Sequence, residues 1–246
     1  MVHAAALLMP LLILPAMATI SEYNREGEEL MEVPHNISEN EVIINLNDNK
    51  ISHTAGRFSH LLILETLTMK ENLLTEFPYL CQVSATLQDV ILDDNKIRDI
   101  YPAYLDCLVS LRYLSLQGNL LTTIPDVTGP GNSLQILYLQ RNLFPEVPVL
   151  TNMGKMLAIF RIDSNIPLKL FSQQAMDALS TVRLQMDLVE FDGCPNLTQI
   201  PDFDRVEGRS ISKVIISLAG DQRTPISSIS PGKFSARMLS FQLILK

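Results

Sequence analysis

The chain contains no tryptophan, and aromatic residues make up only 6% of its 246 positions. Aromatic stacking platforms therefore have little material to be built from. Positive charge is also short: 19 Lys and Arg stand against 27 Asp and Glu, a formal charge of −8. General nucleic-acid binding, which needs cations to displace counterions from phosphates, is excluded on that balance. Histidine is scarce and confined. His3, His35, His53 and His60 all lie in the first quarter of the chain, so no His-based catalytic or zinc constellation can be spread through the fold. No Gly-rich phosphate loop, GxSxG, HExxH or CxxC motif occurs, and each of those chemistries depends on its motif. The carboxylates Asp93-Asp94 and Asp202/Asp204 read as solvated charge on polar segments. These absences argue against an enzyme, a cofactor and a resident metal.

Apolar residues are plentiful at 47%, against 19% charged, enough for a sizeable core. The first twenty residues carry no charge, residues 4–14 form an apolar block, and Ala16-Met17-Ala18 has the small-x-small pattern of a signal-peptidase site. Residues 1–18 are therefore expected to be a signal peptide, with Thr19 opening a secreted, extracellular chain. Pro10 and Pro15 interrupt this block, which is short for a bilayer-spanning helix. No later stretch is long and apolar enough to span. Asn36-Ile37-Ser38 and Asn196-Leu197-Thr198 match the glycosylation sequon, making Asn36 and Asn196 candidate sites.

Self-similarity dominates the rest. The segment LETLTMKENLL places Leu64, Leu67, Met69, Asn72 and Leu74 in the frame LxxLxLxxNxL. The frame returns in LQDVILDDNKI, LRYLSLQGNLL, LQILYLQRNLF and LAIFRIDSNIP, the last with Pro167 at the final aliphatic position. Upstream, VIINLNDNKI fits its second half. The asparagines fall at Asn49, Asn72, Asn95, Asn119, Asn142 and Asn165, at intervals of 23, 23, 24, 23 and 23. Two looser coils follow, with Cys194 and then Asp221 at the Asn position, at intervals of 29 and 27. The insertion SQQAMDALS is expected to form a short helix capped by Ser172, with Ala175, Met176 and Leu179 inward.

The sequence resembles the leucine-rich repeat family, whose repeats run 20–29 residues with Asn or Cys at the ladder position. The resemblance implies an α/β solenoid of about eight coils, with a curved parallel sheet on its concave face and irregular or short-helical return segments. Physical chemistry supports that frame. Alternate residues of each short strand point inward, and stacking buries one coil's apolar row against the next. Where the chain turns out of the strand, an Asn side chain can satisfy inward backbone donors and acceptors at once. Asn49, at the solenoid's end, is expected to matter less than Asn119, because solvent can substitute there.

The organisation expected is a signal peptide (1–18), an N-terminal lead-in or cap segment (19–40) and a solenoid (41–246). Leu243 and Leu245 begin another frame that Lys246 interrupts, which reads as truncation within a coil. Cys194 is expected to be a free buried thiol at a ladder position. Cys81 and Cys107 fall nine and twelve residues after Asn72 and Asn95. That offset of three positions favours two core thiols over a disulfide.

The outward strand positions are the functional candidates. The middle row reads Asn45, Thr68, Ile91, Ser115, Tyr138, Arg161, Glu190 and Ser217. The row before it includes Tyr113, Ile136 and Ile159, and the row after it Gln117, Gln140 and Asp163. Ile91, Tyr113, Ile136, Tyr138, Ile159 and Arg161 thus form a patch rimmed by acids and amides. Tyr and Arg are enriched at interface hot spots, and such a patch suits a protein partner. The family resemblance implies a non-enzymatic, secreted recognition or adhesion module that binds a protein on the concave face. The alternatives are a truncated ligand-binding ectodomain of a membrane-anchored receptor, or a non-functional partial gene product.

Overall fold

The computed structural model describes residues 20–180 and three later strands, 188–190, 214–218 and 241–245. The signal-peptide reading, Thr19, Cys194, Asn196 and Asp221 lie outside the described residues. Among the described residues, ten strands form one parallel sheet in chain order. They are β1 (Glu22–Asn24), β2 (Ile43–Asn45), β3 (Thr66–Thr68), β4 (Asp89–Ile91), β5 (Tyr113–Ser115), β6 (Ile136–Tyr138), β7 (Ile159–Arg161), β8 (Leu188–Glu190), β9 (Val214–Leu218) and β10 (Phe241–Leu245). Each repeat advances the chain by one strand, and the observed pairs Ile44↔Leu67, Leu67↔Val90, Val90↔Leu114 and Leu114↔Leu137 keep the frame read from sequence. These five central residues are fully buried, as are Met69, Leu92, Leu116 and Leu139 two positions on. Stacked coils close one continuous apolar core from Val33 to Ala175, which no single coil could enclose alone.

The asparagines stitch coils together. Asn119 Nδ2 donates to Leu92 O in the preceding coil (2.9 Å) and to Leu116 O in its own (3.0 Å), while its Oδ1 accepts from Ile97 N (3.0 Å). Asn72, Asn95, Asn142 and Asn165 repeat the arrangement. Asn49 does so as well, against the segment expected to leave it open to solvent. Leu30 N donates to its Oδ1 and its Nδ2 donates to Arg25 O, both at 2.8 Å. The lead-in segment is itself laid on the sheet, with β1 in register with β2, so protein rather than solvent serves Asn49.

The turn out of each strand has a further cause. The residue before every ladder asparagine has a left-handed backbone: Asp48, Glu71, Asp94, Gly118, Arg141 and Ser164 have φ between 51° and 67°. This reversal lets Asp48, Glu71, Asp94, Gly118 and Arg141 each donate a backbone N–H to the next coil at 2.8–3.1 Å. Only Gly118 adopts this conformation without a Cβ penalty.

On the return side, α1 (Pro102–Asp106) starts on a proline and ends at Cys107. Cys81 and Cys107 form a disulfide with Cα atoms 5.4 Å apart, correcting the expectation of two thiols. A helix advances about 1.5 Å per residue, an extended segment about 3.3 Å. The helical turn before Cys107 therefore absorbs the three-position offset. The helix expected in the insertion is α2 (Gln173–Ser180). Ser172 Oγ accepts from Ala175 N at 3.1 Å, and Ala175 and Ala178 are buried. A second correction concerns β9, which pairs Val189 with Val214 rather than with Ile216. A two-residue shift leaves every side chain on the same face, so apolar alternation cannot report it. Leu243 pairs with Ile216 as the last frame implies.

Candidate binding face

Three-residue strands present two outward positions each, and parallel register lines these up across coils. One row runs Asp89, Tyr113, Ile136, Ile159 and the other Ile91, Ser115, Tyr138, Arg161. Ile91, Tyr113, Ile136, Tyr138, Ile159 and Arg161 are all half-buried and occupy adjacent positions on this face. Tyr113 and Tyr138 meet diagonally, edge to face, with centroids 5.5 Å apart and planes at 78°. The Arg161 guanidinium carbon lies 5.8 Å from the Tyr138 ring centroid, within cation–π range. Its Nε is 3.4 Å from Asp163 Oδ1. Ring and carboxylate together hold the guanidinium over the sheet.

Among the described residues of the outward rows, two are buried. Ser115 is fully buried: its hydroxyl donates to Asp93 Oδ1, and the longer Ile91 and Tyr138 flank it on the neighbouring strands. Gln140 is 4% exposed, and its Oε1 has no hydrogen-bond partner among the described residues. Alternation sets the direction of a side chain but not the height of its neighbours, so the sequence carried no signal for either.

Asp93 anchors the acidic side of the face. Its Oδ1 also accepts from Gln117 N at 3.0 Å. Asn47 does the same two coils earlier, accepting from Thr68 Oγ1 (2.6 Å) and Lys70 N (2.7 Å). Burial pushes the Asp93 carboxyl above the usual aspartate range; Asp94 adds to the rise, while hydrogen bonds from Ser115 and Gln117 and the charge of Lys70 oppose it. Burial, followed by the Asp93 charge, pushes the Tyr113 phenol up as well. A carboxyl with a raised folded pKa holds its proton more tightly in the native state. Its contribution to stability is therefore greatest below the unfolded value and falls as pH rises through the folded one. Asp93→Asn keeps the acceptor, as Asn47 shows, and removes the buried charge. Its thermal midpoint at neutral pH should rise by about 1–3 °C. The gain should vanish at pH values below the ordinary aspartate range. A loss of stability at neutral pH would contradict this account.

The rim is set by Gly118. Arg141 Nη2 reaches Asp94 Oδ1 and Oδ2, two coils away, at 2.9 and 3.2 Å. A Cβ on Gly118 would lie 2.2 Å from Asp94 Oδ1 and 3.3 Å from Arg141 Nη2, so the pair crosses the intervening coil only over a glycine. Asn36, the described sequon asparagine, is exposed. Among the described residues no group of three or more His, Cys, Asp or Glu is placed to hold a metal, and no helix is long and apolar enough to cross a membrane.

Residues 85–144 match the family model for the leucine rich repeat. The match covers the coils that carry Asn95, Asn119 and Asn142, and with them most of the face just described. No curated protein matches the chain.

Proposed function

We propose that this leucine-rich-repeat solenoid is a secreted, non-enzymatic recognition module that binds a protein on the outward face of its sheet. Leucine-rich-repeat solenoids are typically protein-binding modules. The observation that carries the reading is the Tyr113–Tyr138–Arg161 cluster, bordered by Ile91, Ile136 and Ile159. Two aromatic rings and a guanidinium, already packed on one another, lose little side-chain freedom on binding. The acids and amides of the adjoining row form a polar rim around an apolar centre. Export is supported by the uncharged, apolar first twenty residues and by the Cys81–Cys107 disulfide, since such bonds persist in oxidising compartments.

A photo-crosslinking residue in place of Ile136, in chain made by a secretory host, should capture a discrete partner. The same residue in place of Lys155, on the return side, should not. For the captured partner, Tyr138→Ala should weaken binding by about 2 kcal/mol or more. It should leave the unfolding midpoint almost unchanged, because Tyr138 lies outside the apolar core. Equal capture at both positions, or a Tyr138→Ala protein that binds normally, would refute the reading.

A further inference from the structure

Five of the chain's six tyrosines fall into two clusters. One is the Tyr113–Tyr138 pair. The other lies away from the sheet, on two consecutive return segments. Tyr79 and Tyr104 meet with centroids 5.0 Å apart and planes at 61°, and Tyr101 leans on Tyr104 at 5.3 Å. The first two rings form one wall of a cavity of about 200 Å³. It is also lined by Glu76, Phe77 and Pro78 and by the turn that carries His53 and Gly56.

Three features suggest a site rather than a packing gap. The corner is braced: Cys81 follows Tyr79 by two residues and Cys107 follows Tyr104 by three, so the disulfide ties the two tyrosine-bearing segments together. The turn on the lining is held in an unusual shape. Ala55 and Gly56 have φ of 48° and 69°, and Arg57 N closes the turn on Thr54 O at 3.0 Å. Two successive left-handed residues make a tight turn in which Asn-Gly is the favoured pair and alanine at the first position is strained. Finally, the lining contains no Lys or Arg and includes the acidic Glu76, in a chain whose net charge is −8.

Two aromatic rings set at an angle, with an acidic residue on the same lining, suit one ligand chemistry. The negative faces of the rings attract a cation that is bulky and weakly hydrated, and the carboxylate complements its charge. We infer that the Tyr79–Tyr104–Glu76 cavity binds an alkylammonium head, either a free quaternary amine or a methylated lysine side chain. The site is independent of the sheet face, and its existence does not depend on the recognition function proposed above.

Backbone NMR titration of the disulfide-intact chain tests the inference. Choline and trimethyl-lysine Nα-acetyl methylamide serve as cationic probes, with 3,3-dimethylbutan-1-ol as the neutral isostere of choline. Saturable shifts at the amides of Gly56, Tyr79 and Tyr104 are expected with a cationic probe and not with the neutral one. The tighter of the two cations identifies the source. Tyr79 is 40% exposed, so it can be changed without opening the core. Tyr79→Phe should bind normally, whereas Tyr79→Ala and Glu76→Gln should each weaken binding about two- to fivefold. Tyr138→Ala should have no effect. Equal binding of the neutral isostere, no saturable shift at these amides, or indifference to both Tyr79→Ala and Glu76→Gln would overturn the assignment.

Discussion

Asn119→Asp should destabilise the solenoid more than Asn119→Ala, although aspartate is the closer match in shape. The Asn119 amide donates to Leu92 O, Leu116 O and Gln117 O at 2.9, 3.0 and 3.4 Å, and accepts from Ile97 N at 3.0 Å. Alanine orphans the buried Ile97 N, at about 1–3 kcal/mol, and leaves Leu92 O with only the longer bond from Asn95 Nδ2, at 3.1 Å. Aspartate keeps the acceptor for Ile97 N but turns lone pairs toward the carbonyls, and it adds a charge where the residue is 3% exposed. A buried, uncompensated charge costs about 3–5 kcal/mol, so the Asp variant should be the least stable in urea unfolding. Protonation restores one donor. The Asp variant should therefore regain stability on acidification, while the Ala variant does not. An Asp variant as stable as wild type, or one with no acid rescue, would show that Asn119 does not act through its amide donors. Asn49→Ala should cost about as much as Asn119→Ala, because Leu30 N and Arg25 O depend on it in the same way.

The asparagine ladder was legible because it is a one-dimensional signal. A residue with both donor and acceptor recurs at a nearly fixed interval, and the aliphatics around it keep one frame. The outward patch was legible for the same reason, since side-chain direction along a strand has period two. What escaped depended on quantities that counting residues does not measure. The cysteine offset was three positions in sequence, but a helical turn shortened it to bonding distance. Ser115 points outward and is still covered, because its neighbours across the sheet are taller. The β8–β9 register differs by two residues from the frame, and period two is blind to that shift. The left-handed residue before each asparagine is Asp, Glu, Gly, Arg or Ser, so no residue type marked the position. The Tyr79–Tyr104 corner joins residues from two return segments, where no short-period pattern exists to bring them together.

Gly129→Ala should be the most damaging single methyl on the return side. Residues 129–132, Gly-Pro-Gly-Asn, form a short 3-10 turn wedged between two neighbouring coils. A Cβ on Gly129 would sit 1.6 Å from Asp106 O and 2.5 Å from the carbonyl carbon behind it. Both atoms are backbone, so no side chain can rotate away; the coils would have to part. Parting them would also stretch the hydrogen bonds that the Asp106 carboxylate accepts from Thr128 N and Gly129 N, at 2.9 and 2.8 Å. Overpacking of this kind costs about 3 kcal/mol, equivalent to a fall of about 6–12 °C in the thermal midpoint. Gly131 faces the other neighbour, with a Cβ position 2.4 Å from Asn152 O, so Gly131→Ala should be harmful but less so. Asn132→Ala is the control: the residue closes the same turn, next to Gly131, and is exposed, so its loss should change stability by no more than about 0.5 kcal/mol. The ranking Gly129, Gly131, Asn132 in thermal unfolding is the test. A Gly129→Ala protein as stable as the Asn132→Ala control would mean that these two coils are not packed backbone to backbone.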